Sequence, residues 1–410
     1  MNEKHNCACL SNFTPPIILD NGETICDKCA QRPRQPFNQI KIVNEFMSRY
    51  LRLFSINDLL KSSNRIAYME QYAEIELDDP EKLIRNKKFS LNFDEFKVFV
   101  DKCVNLECMA GEYKRRLIHI ICELGDINMF YYLVSKNVDL DCNDSFNNRP
   151  LHSACRNNLE MVKCLIGKGV DINSINDNGC LPIHIACTKG CRSSTIVHVN
   201  PFVIVTDALH SNDICNECDR ALELVKYLVE NGADVNCVDI FKRTPMHYVC
   251  EKGNHALQLV KYLESKGADI NRVTKFGQHA IQFACSRGDN GLEIVKHLVA
   301  NGADVNCADE SLWRPIHYVI RSRNSLQLLN FLMVCGADLS CVNENGQQPI
   351  HLACYGGDSG LETVEFLVTH GVDVNCIDGI GRRPIHCARE RGDGSLGIVN
   401  YLIKHGANVN

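Results

Sequence analysis

Cysteine and histidine side chains give this sequence most of its chemical potential. The chain of 410 residues contains 24 cysteines and 15 histidines, the side chains that most often bind zinc. Cys215 and Cys218 have the Cys-x-x-Cys spacing of zinc ligands, and Cys191, His198 and His210 lie near them in the sequence. A single such pair in a cysteine-rich chain is weak evidence for a metal. A partner-binding or partly ordered loop is therefore the preferred interpretation of this segment.

Histidine also recurs along the chain inside a four-residue block. The block reads RLIH at 116–119, RPLH at 149–152, LPIH at 181–184, TPMH at 244–247, HAIQ at 279–282, RPIH at 314–317, QPIH at 348–351 and RPIH at 383–386. Its fourth residues follow one another at steps of 33, 32, 63, 35, 35, 34 and 35 residues. Such a period is typical of a stacked repeat, and the one long step indicates an insertion at about residues 191–218.

A second block closes each unit, and a helical pattern lies between the two blocks. The closing blocks are VDLDC (138–142), VDINS (170–174), ADVNC (233–237), ADINR (268–272), ADVNC (303–307), ADLSC (337–341), VDVNC (372–376) and ANVN (407–410). Leu292, Val295 and Leu298 repeat at helical spacing. Gly302 follows them and suits the left-handed conformation that ends a helix. The prolines of the first block suit the first turn of another helix.

Together these blocks resemble the ankyrin repeat, which has a turn, a Thr-Pro-Leu-His opening, two antiparallel helices and a Gly-Ala-Asp-Val-Asn exit. The resemblance covers about residues 113 to 410 as eight units. It implies a mostly α fold, an ankyrin-repeat solenoid whose concave face binds another protein. Arg149, Arg314 and Arg383 replace the opening threonine. The loss of its hydroxyl is expected to weaken individual helix caps.

The repeat gives most cysteines and histidines a structural interpretation. The opening histidines are expected to make hydrogen bonds in the helix turn, and the repeated cysteines are expected to be buried thiols. Six of these cysteines fall in the first helix and five end the closing block: Cys122, Cys155, Cys187, Cys250, Cys285 and Cys354, then Cys142, Cys237, Cys307, Cys341 and Cys376. The Gly-Asp segments at 288–291, 356–360 and 392–394 share one repeat position, which indicates a turn.

The sequence contains no P-loop, no His-Glu-x-x-His motif and no nucleophile elbow. It therefore predicts a protein that is not an enzyme, with ubiquitin ligation as the one exception, considered below.

The candidate partner-binding residues lie at the turn tips of the repeats. Aromatic and arginine side chains are enriched at binding hot spots, and the candidates are Phe146, Phe241, Arg243, Phe276, Trp313 and Arg382. Trp313 is the only tryptophan, and it is expected to be the best single contact because a tip position has no packing use for it. The phenylalanines have an alternative role, since they can fold back over neighbouring repeats.

The stretch CLSNFTPPIILDNGETICDKC at 9–29 resembles a degenerate RING/U-box-type module. RING modules bind two zinc ions, and Asn21 and Glu23 stand where two ligands of the second zinc are expected. A U-box, in which hydrogen bonds replace metals, and a disordered cysteine-bearing tail are the alternatives. The resemblance implies one structural zinc ion and no other cofactor. Its ligands would be Cys7, Cys9, Cys26 and Cys29.

Composition and patterning predict three regions in a soluble, cytoplasmic protein. The net charge of −6 and the absence of a basic run argue against nucleic acid, and no apolar run of 18 residues predicts a membrane span. The regions are a RING-like stretch (1–36), a helical segment that caps the array (37–112) and the ankyrin repeats (113–410). The preferred function is that of a protein–protein interaction scaffold or adaptor. The alternative is an E3 ubiquitin ligase that recruits an E2 enzyme and recognises substrates with its repeats.

Overall fold

The computed structural model describes residues 17–18, 24–25, 93–102, 115–156, 158–188, 213–322, 325–390 and 392–409. The chain forms two compact units, Met1–Ala154 and Cys155–Asn410. Among the described residues, no helix is both long and apolar enough to cross a membrane.

In its described residues, the first unit contains a small hairpin and four helices. Strands β1 (Ile17–Ile18) and β2 (Thr24–Ile25) pair antiparallel, with Ile17 opposite Ile25. The helices of this unit are α1 (Phe93–Lys102), α2 (Leu117–Leu124), α3 (Ile127–Ser135) and α4 (Pro150–Ala154).

Helix α1 packs against α3 through the apolar face that its sequence predicts. Phe96 and Val100 are buried, and the rings of Phe93 and Phe96 meet the edge of Tyr132, with centroids 6.1 and 6.4 Å away. The Tyr132 hydroxyl donates to Asp101 Oδ1 at 2.7 Å. The predicted helical pattern is thus confirmed for the described part of this segment, and the rest of region 37–112 lies outside the described residues.

The second unit is a succession of short first helices and longer second helices. Four 3₁₀ turns, Asn254–Ala256, Gly288–Gly291, Gly357–Gly360 and Gly392–Ser395, join a first helix to its second helix. The helices are α5 (Leu159–Gly167), α6 (Pro182–Thr188), α7 (Asp213–Glu230), α8 (Pro245–Cys250), α9 (Leu257–Ser265), α10 (Ala280–Cys285), α11 (Leu292–Ala300), α12 (Pro315–Arg321), α13 (Leu326–Val334), α14 (Pro349–Cys354), α15 (Leu361–Thr369), α16 (Pro384–Arg389) and α17 (Leu396–Lys404).

Helix α7 differs from the other second helices in length. It has 18 residues, whereas α9 and α11 have nine each. Residues 213–218 were expected to belong to the inserted loop, but they form the first turns of this helix. The remainder of the insertion, 191–212, lies outside the described residues.

An apolar layer between the first and second helices forms the core of the second unit. First helices contact first helices of the next repeat, as α10 does with α12, and second helices contact second helices, as α11 does with α13. In α11, Ile294, Val295 and Leu298 are fully buried. Each such side chain contributes about 1.5–3 kcal/mol by leaving water. Since contacts run between neighbours, stability comes from stacking of adjacent repeats.

Every described first helix of the second unit except α10 is held at its start by the histidine of the four-residue block. The Nδ1 atom of His247 accepts the backbone N–H of Thr244 at 3.0 Å. His317 and His386 accept the N–H groups of arginines 314 and 383 at the same distance. This bond does not involve the side chain of the N-cap residue, so it forms equally after threonine and after arginine.

The other ring nitrogen of the histidine binds the following loop. The Nε2 atom lies 3.2 Å from the Arg243 carbonyl oxygen in His184 and 3.1 Å from the Arg272 carbonyl oxygen in His247. Because Nδ1 accepts a hydrogen bond, the proton of the neutral ring is on Nε2, which donates to the carbonyl. Gln282 reproduces both bonds, since its Oε1 accepts the His279 N–H and its Nε2 donates to the Trp313 carbonyl.

The second helices are capped in two ways. Asp126 caps α3 and Asn158 caps α5, and each side chain accepts an N–H three residues later, at 2.9 and 3.0 Å. In α11 and α13 the cap comes from the preceding repeat. Asn254 accepts an N–H in the first turn of α11 and Asp289 one in the first turn of α13, both at 2.8 Å. The 3₁₀ turn carries the capping residue across to the neighbouring helix.

The neutral histidines should make the stability of the protein sensitive to acid. Burial lowers the pKa of His247 and of His317 from 6.5 to about 4. Below pH 6.5 the unfolded chain therefore binds protons that the folded chain does not bind, and stability falls as the pH decreases from 6.5 to about 4. We expect His247→Gln to unfold like the wild type at pH 7 and to lose about 2 kcal/mol less between pH 7 and 5.

Urea unfolding of both proteins at the two pH values measures this difference. Glutamine is the matched replacement because Gln282 already makes the same two hydrogen bonds. An identical loss of stability in the two proteins would contradict a neutral, acid-sensitive His247.

Candidate functional site

The loop before each first helix is organised by one polar side chain, which we call the anchor residue. Asp239 Oδ1 accepts the backbone N–H groups of Phe241 and Arg243, both at 2.8 Å. We call the residues two and four positions after the anchor the tip residue and the base residue. The same pair of bonds recurs at the anchors Asp144, Asn176, Thr274, Asp309, Asn343 and Asp378.

The loops of the second unit are joined to one another through their backbones. The N–H group after each anchor donates to the carbonyl oxygen of the preceding tip residue. Lys275 donates to Phe241 at 2.7 Å, and Glu310 donates to Phe276 at 3.0 Å. Three further loop pairs, starting at Ile240, Glu344 and Gly379, repeat this bond at 2.9–3.0 Å. The tip residues are consequently held in a row.

Two of the predicted contacts, Phe241 and Phe276, are neighbouring tip residues. Both are half-buried, and their rings stack with centroids 6.3 Å apart and planes 25° apart. The alternative in which phenylalanines fold against neighbouring repeats is thus observed for this pair, and the stacked rings still reach solvent. Phe146 is a tip residue of the first unit, and 45% of it is exposed.

The expectation that Trp313 has no packing use is wrong. Its N–H donates to Asp309 Oδ1 at 2.8 Å, which makes it a base residue rather than a tip residue. Its side chain is buried, and the indole lies 5.6 Å from the rings of both His317 and Tyr318. The guanidinium of Arg321 covers the indole at 5.2 Å. The repeat places this position against the first helix, and the use of Trp313 as a partner contact remains a prediction.

Arg243 and Arg382 are also base residues, yet their side chains have different surroundings. Arg382 donates from Nε to Asp378 Oδ2 and from Nη1 to Glu390 Oε1, both at 2.9 Å. The Arg243 guanidinium instead lies 5.6–5.9 Å from the ring centres of Phe241, Tyr248 and Phe283. Both arginines lie two residues after a loop tip, but one is paired internally and the other is enclosed by aromatic rings.

Two tyrosines, the buried Tyr248 and the half-buried Tyr318, line this part of the surface. Tyr248 donates to Asp239 Oδ2 and Tyr318 to Asp309 Oδ2, both at 2.6 Å. Gln278 Nε2 donates in turn to the Tyr318 hydroxyl at 2.9 Å. We call the surface formed by loop tips and first helices here the aromatic–arginine patch; it consists of Phe241, Arg243, Tyr248, Phe276 and Phe283.

A family model described as "Ankyrin repeats (3 copies)" matches residues 118–198, 214–309 and 316–410. These ranges cover more than half of the chain. The chain belongs to the ankyrin-repeat family. No curated protein shows a significant match to the chain.

The predicted burial of the repeated cysteines is confirmed for ten of the eleven, whereas Cys376 is half-buried. Fifteen cysteines have described side chains, all of them thiols, and twelve are buried. Burial raises the pKa of Cys187, Cys307 and Cys341 to about 12, so these thiols are poor nucleophiles at neutral pH. Among the described residues, no group of three or more histidines, cysteines or carboxylates could hold a metal ion.

The predicted zinc ligands lie outside this description. The side chains of Cys7, Cys9, Cys26 and Cys29 are not among the described residues, nor are those of the cysteines in the insertion. The zinc ion therefore remains a prediction from the sequence.

The anchor residues were missed by sequence reasoning, although their signal is regular. Each lies five residues before the N-cap of a first helix and is Asp, Asn or Thr. These are residues whose side chains bond to nearby backbone N–H groups. The register that they define separates tip from base residues, and it would have assigned Trp313 correctly.

The anchor residue should stabilise the loop through its side-chain oxygen, which accepts hydrogen bonds, and its negative charge should matter little. We expect Asp239→Ala to lower the free energy of unfolding by about 1–3 kcal/mol, because two backbone N–H groups and the Tyr248 hydroxyl lose their acceptor. Asp239→Asn should lie within about 1 kcal/mol of the wild type, since asparagine is the anchor at positions 176 and 343. Equilibrium urea unfolding measures both changes. Equal destabilisation by alanine and asparagine would show that the bonds to Oδ1 are not what stabilises the loop.

Proposed function

We propose that this ankyrin-repeat protein is an interaction scaffold or adaptor that binds another protein on the surface formed by its loop tips and first helices. Ankyrin repeats are generally protein–protein interaction modules. The observation that carries the proposal is the aromatic–arginine patch, since two stacked phenylalanines and an arginine reach solvent beside a rigid backbone. Such side chains on a pre-organised surface are typical of binding hot spots.

The extent of the array belongs to the same proposal. The sequence indicates eight units between about 113 and 410, and the regular steps between the histidine blocks support that number. More units provide a longer surface, on which one extended partner or several partners could bind.

The patch should carry the binding energy for partner peptides. We expect random linear peptides displayed on phage and selected on the full chain to bind the double variant Phe241→Ala, Phe276→Ala at least tenfold more weakly, about 1.4 kcal/mol. Fluorescence anisotropy with the selected peptides measures the affinities. Val334→Ala is the control, because Val334 is apolar and 73% exposed at the end of a second helix. Selected peptides that bind both variants like the wild type would contradict a binding role for the patch.

The alternative function, E3 ubiquitin ligation through a RING-like module, receives support from one observation. Strands β1 and β2 pair between the two cysteine groups, and Cys26 follows β2 directly. A hairpin beside zinc ligands suits a small metal-bound module. In this alternative Cys7, Cys9, Cys26 and Cys29 hold one structural zinc ion, and Ile17 and Ile18 contribute to the surface that an E2 enzyme contacts.

A zinc measurement and a ubiquitination assay decide this alternative together. We expect the scaffold proposal to hold, with no ubiquitin chains formed by the full chain with a panel of E2 enzymes. The variant Cys26→Ser, Cys29→Ser should bind one zinc ion fewer by atomic emission if the four cysteines hold metal. Chains made by the wild type and absent with the variant would establish ligase activity and overturn the proposal that the protein is only a scaffold.

A cytoplasmic location is part of the proposal as well. It is supported by the cysteine content, because fifteen described thiols without a disulfide suit a reducing compartment.

A further inference from the structure

The surroundings of Arg243 single it out among the base residues. Its Nε atom is buried and has no hydrogen-bond acceptor in the part of the chain that the structure describes. The matched atom of Arg382 donates to Asp378 Oδ2 at 2.9 Å. Leaving a charged donor without an acceptor costs more than leaving a neutral one, so a specific cause must keep Arg243 away from the carboxylate of its own loop.

The cause is the tyrosine that follows the opening histidine. Tyr248 donates to Asp239 Oδ2 at 2.6 Å, and the other oxygen of that carboxylate accepts two backbone N–H groups. In the loop of Arg382, the position of Tyr248 holds Cys387, and the anchor carboxylate is open to the arginine. Tyr248 therefore excludes Arg243 from Asp239 and, with Phe241 and Phe283, holds its guanidinium by cation–π contacts.

The charges that face this arginine leave the site positive. Glu251 is the carboxylate one helical turn beyond His247, and burial raises its pKa. The electrostatic influence of Arg243, Arg287 and Lys252 acts on Glu251 in the opposite direction. These three cations therefore act on Glu251, and Asp239 is the other carboxylate beside Arg243. The exposed lysines 242 and 275, on the loops of Phe241 and Phe276, add further positive charge at the rim.

We infer that the aromatic–arginine patch binds an extended acidic segment of a partner protein, with one carboxylate on the Arg243 guanidinium and a neighbouring apolar side chain on the stacked Phe241 and Phe276 rings. This inference rests on the proposed function and specifies the chemistry of the partner. An arginine fixed by aromatic rings is pre-organised, so little side-chain entropy is lost when a carboxylate docks. The positive rim favours acidic segments and disfavours basic ones.

Arg243→Gln tests the inference with a close control. Glutamine is the natural base residue at positions 278 and 347, so this variant should unfold at nearly the temperature of the wild type. Arg382→Gln removes a base arginine that already has two carboxylate partners. The probes are linear peptides selected on the full chain from a random phage library, together with copies in which Glu and Asp are replaced by Gln and Asn.

We expect the selected peptides to be enriched in Asp and Glu beside an apolar residue. Arg243→Gln should weaken their binding at least tenfold, and neutralising the peptide carboxylates should have the same effect, whereas Arg382→Gln should leave the affinity unchanged. Added salt should reduce the difference between wild type and Arg243→Gln. Tyr248→Phe should also weaken binding, because it opens Asp239 Oδ2 to Arg243.

The outcomes separate this inference from the function that it specifies. Peptides that depend on Phe241 and Phe276 but bind Arg243→Gln like the wild type would leave the scaffold proposal intact and overturn the acidic partner. Equal effects of Arg243→Gln and Arg382→Gln would overturn it too, as would selection of basic peptides. A failure to select any peptide would overturn both. Displacement of peptides by a single-stranded DNA oligonucleotide at equal concentration would replace the acidic protein segment by nucleic acid.

Discussion

The link between repeats depends on one side chain that uses both of its polar ends. A first helix of five to eight residues is too short to be stable alone, and its N-terminal amide must find an acceptor. In most repeats the histidine of the opening block supplies that acceptor with one ring nitrogen and donates to the next loop with the other. The same side chain therefore couples formation of the first helix to contact with the next repeat. A neutral ring is required for both bonds, which is why glutamine can replace histidine and a protonated ring cannot.

The same link positions the residues that face a partner. His184 binds the carbonyl oxygen of Arg243, and Asp239 accepts the backbone N–H of Arg243. The backbone of this base residue is therefore fixed while its side chain remains free to respond to its neighbours. A tyrosine or a cysteine one turn into the first helix then decides whether the arginine pairs internally or faces outward. In a base residue, the backbone atoms belong to the rigid framework, and the side-chain atoms form the variable surface.

The sequence was sufficient to predict the structural features that recur from repeat to repeat. It was insufficient for features that occur only once and depend on one particular neighbouring side chain. Period, helix pattern, the role of the histidines and the burial of the cysteines all follow from residues that reappear at one position, because a repeated residue type reflects a shared structural constraint. Trp313 occurs once, so no comparison between units revealed its register. The turns of α7 before residue 219 likewise have no counterpart in other units, and their sequence offered no helical stripe that continued the repeat.

The surroundings of Arg243 could not be predicted from the sequence for a related reason. Arg243 and Arg382 occupy the same position in the repeat, and Glu251 and Glu390 follow them at the same distance. What separates them is the group that binds the second oxygen of the anchor carboxylate, which is the Tyr248 phenol beside Arg243 and the guanidinium itself at Arg382.

The caps of α11 and α13 also bear on how such an array can change its length during evolution. The residue that caps each of these helices belongs to the preceding unit. One sequence repeat therefore does not contain all the residues that its own second helix needs. Deleting one 35-residue unit removes a second helix and also the residue that caps the following second helix. That following helix is then capped by a residue of an earlier unit. Its stability is unchanged only when this residue is also Asn or Asp. Units of 32 or 33 residues, which carry their own caps, can be gained or lost without this condition.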